Sequence, residues 1–153
     1  MPKPRGSAGK GCVFCGIVSG ELAATTVFED DVAVAFLDHR PLLPGHCLVV
    51  PKVHVETLPE LPEDLLAPFF RDVQLVVRAV EKGLEAEGSF VAVNNKISQS
   101  VPHLHVHVVP RWKGDGLFSA KLLWKRSPYR DDAARRQVQE KIRRAVEEAR
   151  GSV

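Results

Sequence analysis

The pattern of apolar and polar positions along this chain predicts five β-strands. Short runs rich in β-branched and aromatic residues, bounded by turn-forming residues, are typical of strands. Asp30 and Asp31 separate the first two runs and predict a hairpin, while Pro51 ends the third run. The predicted strands cover residues 26–29, 32–37, 46–51 and 89–94, with a fifth at 103–109.

Two further stretches follow helical spacing. Residues 61–87 carry apolar side chains at every third or fourth position, which predicts one long helix. Pro68 interrupts this pattern, so the helix either begins near Ala67 or is kinked there. Asp131 or Asp132 can cap a last helix, whose narrow apolar stripe would dock on the body of the protein or on a second subunit. The stripe consists of Val138, Ile142, Ala145, Val146 and Ala149.

The fifth predicted strand has an unusual distribution of histidine. His103, His105 and His107 alternate with aliphatic residues, so in a strand the three imidazoles share one face, roughly 6.5–7 Å apart. A half-buried strand with histidine at its exposed positions is the alternative interpretation. It is disfavoured because half of the chain's six histidines fall on this one face. The pattern favours a row of groups along one substrate, with histidine suited to proton transfer or nucleophilic attack near neutral pH.

Length and composition indicate an ordinary globular protein. The 153 residues are enough for one domain with a proper core, and 44% are hydrophobic and 26% charged. Residues 1–11, rich in Pro, Gly and Lys, predict a disordered leader without the apolar core of a signal peptide. No apolar run reaches membrane-spanning length, so we expect a cytoplasmic protein without a membrane partner.

Charge is unevenly distributed along the chain. Residues 1–110 hold nine Lys/Arg and 13 Asp/Glu, a net charge of −4, whereas residues 111–153 hold 12 and six, a net charge of +6. Acidic residues are interspersed in this basic extension. A solvated helix face, or a rim that attracts polyphosphate substrates, is therefore favoured over a nucleic-acid groove.

The three cysteines do not fit a secreted disulfide scaffold, because their number is odd. Cys12 and Cys15 form a Cys-x-x-Cys pair, which can be a redox pair, half of a metal site or two buried thiols. A redox pair requires a strand–helix setting that nothing upstream of residue 12 supplies. A zinc site requires two further ligands, for which histidines are the best candidates, since Cys47 is the only other thiol.

These motifs together resemble the histidine triad (HIT) family of nucleotide hydrolases and transferases. The sequence His-Leu-His-Val-His-Val-Val at 103–109 is similar to the family signature, with Gln99-Ser100 before it and Pro110-Arg111 after it. The likeness extends in family order through the Cys-x-x-Cys pair, Phe36-Leu-Asp38, the segment 44–54 and Val93-Asn94. It covers residues 12–111 as one HIT domain, and nothing is carried over to the extension at 112–153.

The resemblance implies an α+β fold, in which one long helix packs on a five-stranded antiparallel sheet that is usually paired across a homodimer. The C-terminal helix would be an addition. The implied reaction is attack on the α-phosphate of an AMP-containing purine nucleotide, either a phosphoramidate or a dinucleoside polyphosphate. It would pass through a nucleotidyl-histidine and release a nucleoside monophosphate.

Residue roles follow from the same resemblance. His105 matches the nucleophile, and His107 and His46 complete the catalytic group. Asp38 matches a position that faces the ribose hydroxyls. Asn94, Gln99 and Ser100, with His105 and His107, are the further nucleotide-binding candidates.

Zinc is the cofactor that the resemblance implies. In metal-bearing relatives a Cys-x-x-Cys pair joins a histidine after the third strand and the first triad histidine. The corresponding residues here are Cys12, Cys15, His54 and His103, which would make a closed structural site.

One departure from the family pattern concerns the turn before the triad. Ser98 stands where many members carry a glycine, which lets the backbone approach a phosphate closely. The leaving-group side of the site is therefore expected to differ. A rival hypothesis is a nucleotide-binding regulatory module with little turnover.

Overall fold

The computed structural model describes residues 11–119 and 126–151. Most of the leader predicted at 1–11, namely residues 1–10, and part of the extension, residues 120–125, lie outside the described residues. None of the described helices has the length and apolar character needed to cross a membrane.

The predicted α+β fold with a five-stranded antiparallel sheet is confirmed. The strand order is β1-β2-β3-β5-β4, and every neighbouring pair is antiparallel. The strands are β1 (Thr26–Glu29), β2 (Ala33–Leu37), β3 (Cys47–Pro51), β4 (Gly88–Val93) and β5 (Val106–Arg111). The helices are α1 (Val13–Ser19), α2 (Glu63–Gly83) and α3 (Asp132–Gly151), with a short 3-10 helix at Leu58–Glu60.

Each strand divides its side chains between the two faces of the sheet, as the period of two requires. One face packs against α2 and α3 and forms the main core, which includes Cys47, Val49, Val106 and Val108. The opposite face forms a smaller core with α1, built on Phe14, Val34, Phe36, Leu48 and Val50. Residues of β2 and β3 are buried throughout because both faces are covered.

The hairpin between β1 and β2 forms as predicted. The side chain of Asp30 accepts hydrogen bonds from the backbone N–H groups of Val32 and Ala33, at 2.8 and 2.9 Å. Short polar side chains favour turns by bonding to the backbone just ahead in this way.

The long helix begins earlier than residue 67, which was one of the two alternatives predicted for the segment around Pro68. A start near Ala67 is wrong, because α2 begins at Glu63 and continues through Pro68. The helix ends at Gly83, short of residue 87. A proline inside a helix removes one backbone hydrogen bond. Burial of an apolar face that includes Phe69, Val73 and Val76 offsets the free-energy cost of that loss.

The C-terminal helix α3 packs on the body of the same chain. Asp131 caps it by accepting from the N–H of Ala134 at 2.8 Å, and Ile142, Ala145 and Val146 are buried in the main core. The side-chain amide of Gln139 donates to the carbonyl of Thr26, which fixes α3 to β1. The apolar stripe therefore has an intramolecular partner.

Candidate active site

The candidate site lies on the sheet face that α1 covers. In register, Leu48 of β3 lies opposite Phe36 of β2 and His107 of β5. Residues two positions away along each chain share that face, which brings Asp38 and His46 beside His107. The short-range pattern of each strand and the order of the strands together build the site.

The histidine run is only partly a strand. The β5 ladder begins at Val106, so His103 and His105 lie in the extended segment before it. The predicted alternation still holds, since Leu104, Val106 and Val108 enter the main core. The rings of His105 and His107 lie 5.0 Å apart, centroid to centroid, and Phe14 of α1 meets His105 edge-on at 5.2 Å.

One backbone contact defines the protonation of His105. Its Nδ1 lies 2.7 Å from the carbonyl oxygen of His103, and a carbonyl only accepts, so Nδ1 carries the proton and donates. Nε2 is then the nitrogen with the free lone pair. Burial lowers the pKa of His105 below its ordinary value of 6.5, although this hydrogen bond and the charge of Asp38 oppose the effect. The ring is therefore neutral at pH 7.

A second chain of hydrogen bonds orients His107. The N–H of Leu42 donates to Nδ1 of His46 at 3.0 Å, which leaves the proton of that ring on Nε2. This Nε2–H donates to Nδ1 of His107 at 2.9 Å. Nε2 of His107 consequently carries the proton of that ring.

Burial keeps both of these rings neutral. It lowers the pKa of His46 to about 3, with smaller contributions from the nearby charges of His107, Arg126 and His105. The pKa of His107 falls to about 4, again mainly through burial. Neutral rings preserve the donor–acceptor chain at physiological pH.

Asp38 is nearly buried at the edge of the histidine group. Its Oδ1 accepts from the N–H of Arg40 at 2.9 Å, and its Oδ2 lies 3.4 Å from Nη1 of Arg126 and 3.8 Å from Nε2 of His46. The side chain of His39 is 88% exposed, and its Nδ1 lies 3.7 Å from Oδ1 of Asp38.

Two cavities meet over this surface. The larger, of about 700 Å³, is lined by apolar side chains of α1 and β2, by Asp38 and by His105. The smaller, of about 230 Å³, is lined by Asn94, Ser98, Ser100, His107 and Arg126. Ser100, His107 and Arg126 line both, so they stand where the two cavities join.

The loop before the histidines supplies the wall of the smaller cavity. Ser98 has φ +60°, the left-handed conformation that favours glycine, so the loop keeps the backbone expected of the missing glycine. The side chain of Gln99 does not line either cavity. It accepts from the N–H of Lys96 at 2.8 Å and donates to the carbonyl of Glu56, which holds the loop in place.

The four predicted metal ligands lie together at the other end of the histidine run. Their donor atoms, Sγ of Cys12 and Cys15 and Nδ1 of His54 and His103, all lie within 4.8 Å of one another. Neighbouring donors are separated by 3.2–3.6 Å. Zn–S and Zn–N bonds of about 2.3 and 2.0 Å imply tetrahedral edges of about 3.3–3.8 Å, close to those separations.

The protonation of His103 agrees with a ligand role. Its Nε2 donates to the carbonyl of Pro51 at 2.9 Å, which leaves the lone pair on Nδ1, the atom that faces the two thiols. An imidazole fixed by a carbonyl at its second nitrogen is typical of metal ligands. A second group, Asp38, His46 and His107, also has donor atoms within 4.8 Å, but there the two rings already bond to each other.

Sequence reasoning missed two residues of the site. Phe14, between the two cysteines, packs edge-on against both His103 and His105. Arg126 comes from the C-terminal extension and contacts Asp38, which is 88 residues away in sequence. Neither position carries a local signal, because only the tertiary structure brings these segments to the histidines.

Comparison with known proteins agrees with this geometry. The family model described as the HIT domain matches residues 19–114. This chain belongs to the HIT family. An uncharacterized HIT-like protein of Methanocaldococcus jannaschii is 43% identical over 107 residues, which cover 69% of this chain and 82% of that protein. The adenylylsulfatase HINT3 of Arabidopsis thaliana is 36% identical, over 76% of this chain and 60% of its own length.

Two solved structures of histidine triad proteins match almost the whole chain. A zinc-bound histidine triad family protein from Mycobacterium smegmatis has a TM-score of 0.80 at 35% identity, covering 96% of this chain and all of its own. A hypothetical histidine triad nucleotide-binding protein from Sulfolobus tokodaii also has a TM-score of 0.80, at 32% identity, covering 93% of this chain and 96% of its own. The fold of this chain is therefore the HIT fold.

Proposed function

We propose that this HIT protein is a nucleotide hydrolase or transferase that attacks the α-phosphate of an AMP-containing substrate through His105. The hydrogen bond from Nδ1 of His105 to the His103 carbonyl supports the proposal most directly. It presents a bare Nε2 lone pair on a ring that lines the larger cavity. Neutral imidazole is nucleophilic at pH 7 without prior deprotonation.

The reaction proceeds in two displacements. Nε2 of His105 forms a bond to the α-phosphorus, and the bond from phosphorus to the leaving group breaks with its electron pair on the leaving atom. Water then attacks the phosphorus of the nucleotidyl-histidine, the N–P bond breaks and AMP is released. The sum is substrate plus water giving AMP and the protonated leaving group.

His107 and His46 act on the leaving-group side. His107 lines both cavities, and its Nε2–H donates to a phosphate oxygen or to the leaving atom. His46 holds His107 in this orientation, so His46 is a positioning residue rather than a group that touches substrate. Ser100 and Asn94 line the same cavity, where they provide further donors to phosphate oxygens.

The larger cavity suits the nucleoside. Its apolar walls, which include Phe14, Ile17 and Phe36, match a purine, while the carboxylate of Asp38 suits the two ribose hydroxyls. Gln99 contributes to nucleotide binding indirectly, by fixing the loop that carries Ser98 and Ser100.

Zinc is part of the proposal as a structural ion. Cys12, Cys15, His54 and His103 supply four protein donors, which leaves no open coordination position for substrate. When bound, the ion would link α1 to the segment before β5. The chain's residues, rather than the metal, carry the chemistry.

A homodimer is the proposed assembly. β4 is an edge strand of the described sheet, and Val91 on it is 44% exposed. An exposed edge strand is available for pairing with a second copy. Light scattering should give twice the chain mass of 16.9 kDa, and a monomer mass would contradict this assembly.

A turnover panel tests the proposed reaction. Wild type and His105→Asn are each offered adenosine phosphoramidate, diadenosine tetraphosphate and adenylyl sulfate, the last because a relative is an adenylylsulfatase. We expect wild type to release AMP from at least one of these substrates. His105→Asn should do so at a rate lower by about a thousandfold or more, while it still binds AMP. Equal turnover by the two proteins would refute the nucleophile. AMP binding without any turnover would favour a regulatory nucleotide-binding module.

A further inference from the structure

The two cavities differ in the chemistry of their walls. The larger is mainly apolar around α1 and β2, whereas each of the five residues lining the smaller is polar. The smaller cavity contains one formally charged side chain, Arg126, and no carboxylate. A space of this composition favours an anion over an uncharged or cationic group.

The guanidinium of Arg126 has donors available for such an anion. Its Nη1 donates to the carbonyl of Arg40 at 2.8 Å and contacts Oδ2 of Asp38 at 3.4 Å. Within the described ranges 11–119 and 126–151, Nε and Nη2 have no hydrogen-bond partner. A guanidinium with free N–H groups can bind two oxygens of a phosphate at once.

The C-terminal extension holds Arg126 in this place. The N–H of Ser127 donates to the carbonyl of Pro41 at 2.7 Å, and the hydroxyl of Tyr129 accepts from the N–H of Gly45 at 2.8 Å. These bonds join the segment around Arg126 to the loop between β2 and β3. The position of the cation is therefore set by the fold of the extension on the HIT domain.

The charge of Arg126 reaches the catalytic histidines. Burial and the charge of His105 are the largest causes that lower the pKa of His107, and Arg126 lowers it further. The same cation lowers the pKa of His46, after burial and the charge of His107.

We propose that Arg126 is a specificity residue that binds an anionic leaving group, such as a polyphosphate, in the smaller cavity. The inference rests on the proposed function and deepens it by naming the substrate class. When His105 displaces a polyphosphate, the departing oxygen gains a negative charge, which the guanidinium neutralises. An amine leaving group instead needs a proton on nitrogen, which a fixed cation does not supply.

Two substrates that share the nucleotide and differ in the leaving group test this role. The kcat/KM values for diadenosine tetraphosphate and adenosine phosphoramidate are measured for wild type, Arg126→Gln and Arg126→Lys. Arg130→Gln is the matched control, since Arg130 lies on the same extension with its side chain 87% exposed and paired to Asp131.

Arg126→Gln should lower kcat/KM for the tetraphosphate by about tenfold or more and for the phosphoramidate by less than about twofold. Arg126→Lys should recover part of the loss, since it keeps the charge, and Arg130→Gln should match wild type. An equal loss on both substrates would overturn the leaving-group role while the proposed reaction stands. A gain in activity would also overturn it, because Arg126 would then only obstruct Asp38.

Binding of inorganic pyrophosphate keeps the inference testable if the wild-type protein turns over neither substrate. Calorimetry at low ionic strength should show pyrophosphate binding to wild type and to Arg130→Gln, and about tenfold weaker binding to Arg126→Gln. Such a result would support the anion site although the proposed hydrolysis had failed. Equal binding to all three proteins, or binding to none, would refute the anion site.

Discussion

At the residue scale, single backbone partners determine which nitrogen of each histidine is available. The His103 carbonyl sets His105, the Leu42 N–H sets His46, and His46 in turn sets His107. The sequence predicted the three side chains on one face but not their tautomers. The first two partners are close in the chain, in the segments that precede β5 and β3, whereas the contact between His46 and His107 joins residues 61 positions apart and depends on the whole fold.

Neutral buried histidines predict a loss of stability in mild acid. The pKa values of His46 and His107 are about 3 and about 4 in the folded protein, against an ordinary value of 6.5. Between pH 6.5 and about 4 the unfolded chain binds protons that the folded chain excludes. The free energy of unfolding should therefore fall as the pH falls, by at most about 1.4 kcal/mol per pH unit for each ring.

Urea unfolding at pH 7, 6 and 5 measures this effect. His46→Gln should reduce the slope of the unfolding free energy against pH. His39→Gln should leave this slope unchanged, because the side chain of His39 is 88% exposed. Comparing variants separates the contribution of His46 from the pH dependence that all three proteins share. A slope that is the same in all three proteins would contradict the prediction.

At the element scale, the close contact between α2 and α3 is a feature that helical periodicity in the sequence does not predict. Gly83 is the last residue of α2. In the structure it also allows a close approach, since an added Cβ would lie 2.6 Å from the carbonyl oxygen of Lys141 and 3.2 Å from Cα of Ile142. Periodicity cannot show this because the partner is a different helix.

Gly83→Ala is therefore expected to destabilise the protein, although helix propensity alone predicts the opposite. The backbone of α3 would have to move away from α2, at a cost of about 1–3 kcal/mol. Gly151→Ala is the control, because Gly151 ends α3 and has no atom within 4 Å of its added Cβ. Denaturant unfolding of the three proteins gives the comparison, and unchanged or higher stability of Gly83→Ala would show that the helices adjust freely.

At the scale of the whole molecule, the Cys/His group joins segments far apart in the chain. Cys12 and Cys15 belong to the start of the described chain, His54 follows β3 and His103 precedes β5. Phe14, held between the two cysteines, forms part of the wall beside His105. Loss of these links would affect both stability and the nucleoside cavity.

Removal of zinc is expected to lower the midpoint of thermal unfolding and to weaken AMP binding. Metal analysis of the purified protein should give one zinc per chain, and Cys12→Ser should reduce this content and mimic chelation. Cys47→Ala should retain the metal, because Cys47 is buried in the main core away from the group. Purified protein without metal, with an unfolding midpoint that added zinc does not raise, would contradict a structural zinc site.

The sequence by itself determined the five strands and the two long helices, and it identified the histidines and cysteines of the site. Strand alternation put Leu104, Val106 and Val108 into the core and the histidines on the other face, because a period of two is a local property. The Cys-x-x-Cys pair and the histidine spacing are likewise visible in short stretches of the sequence. The family of the chain followed from these motifs, and comparison with known proteins confirmed it.

Only the tertiary structure decided how distant segments meet. The hydrogen bond between His46 and His107, the wall formed by Phe14 and the cation of Arg126 all depend on contacts between distant segments that no local pattern encodes. The α3 stripe illustrates the same limit, since the sequence left open whether its partner was this chain or another. Such contacts arise from packing geometry, in which the position of each side chain depends on the entire fold.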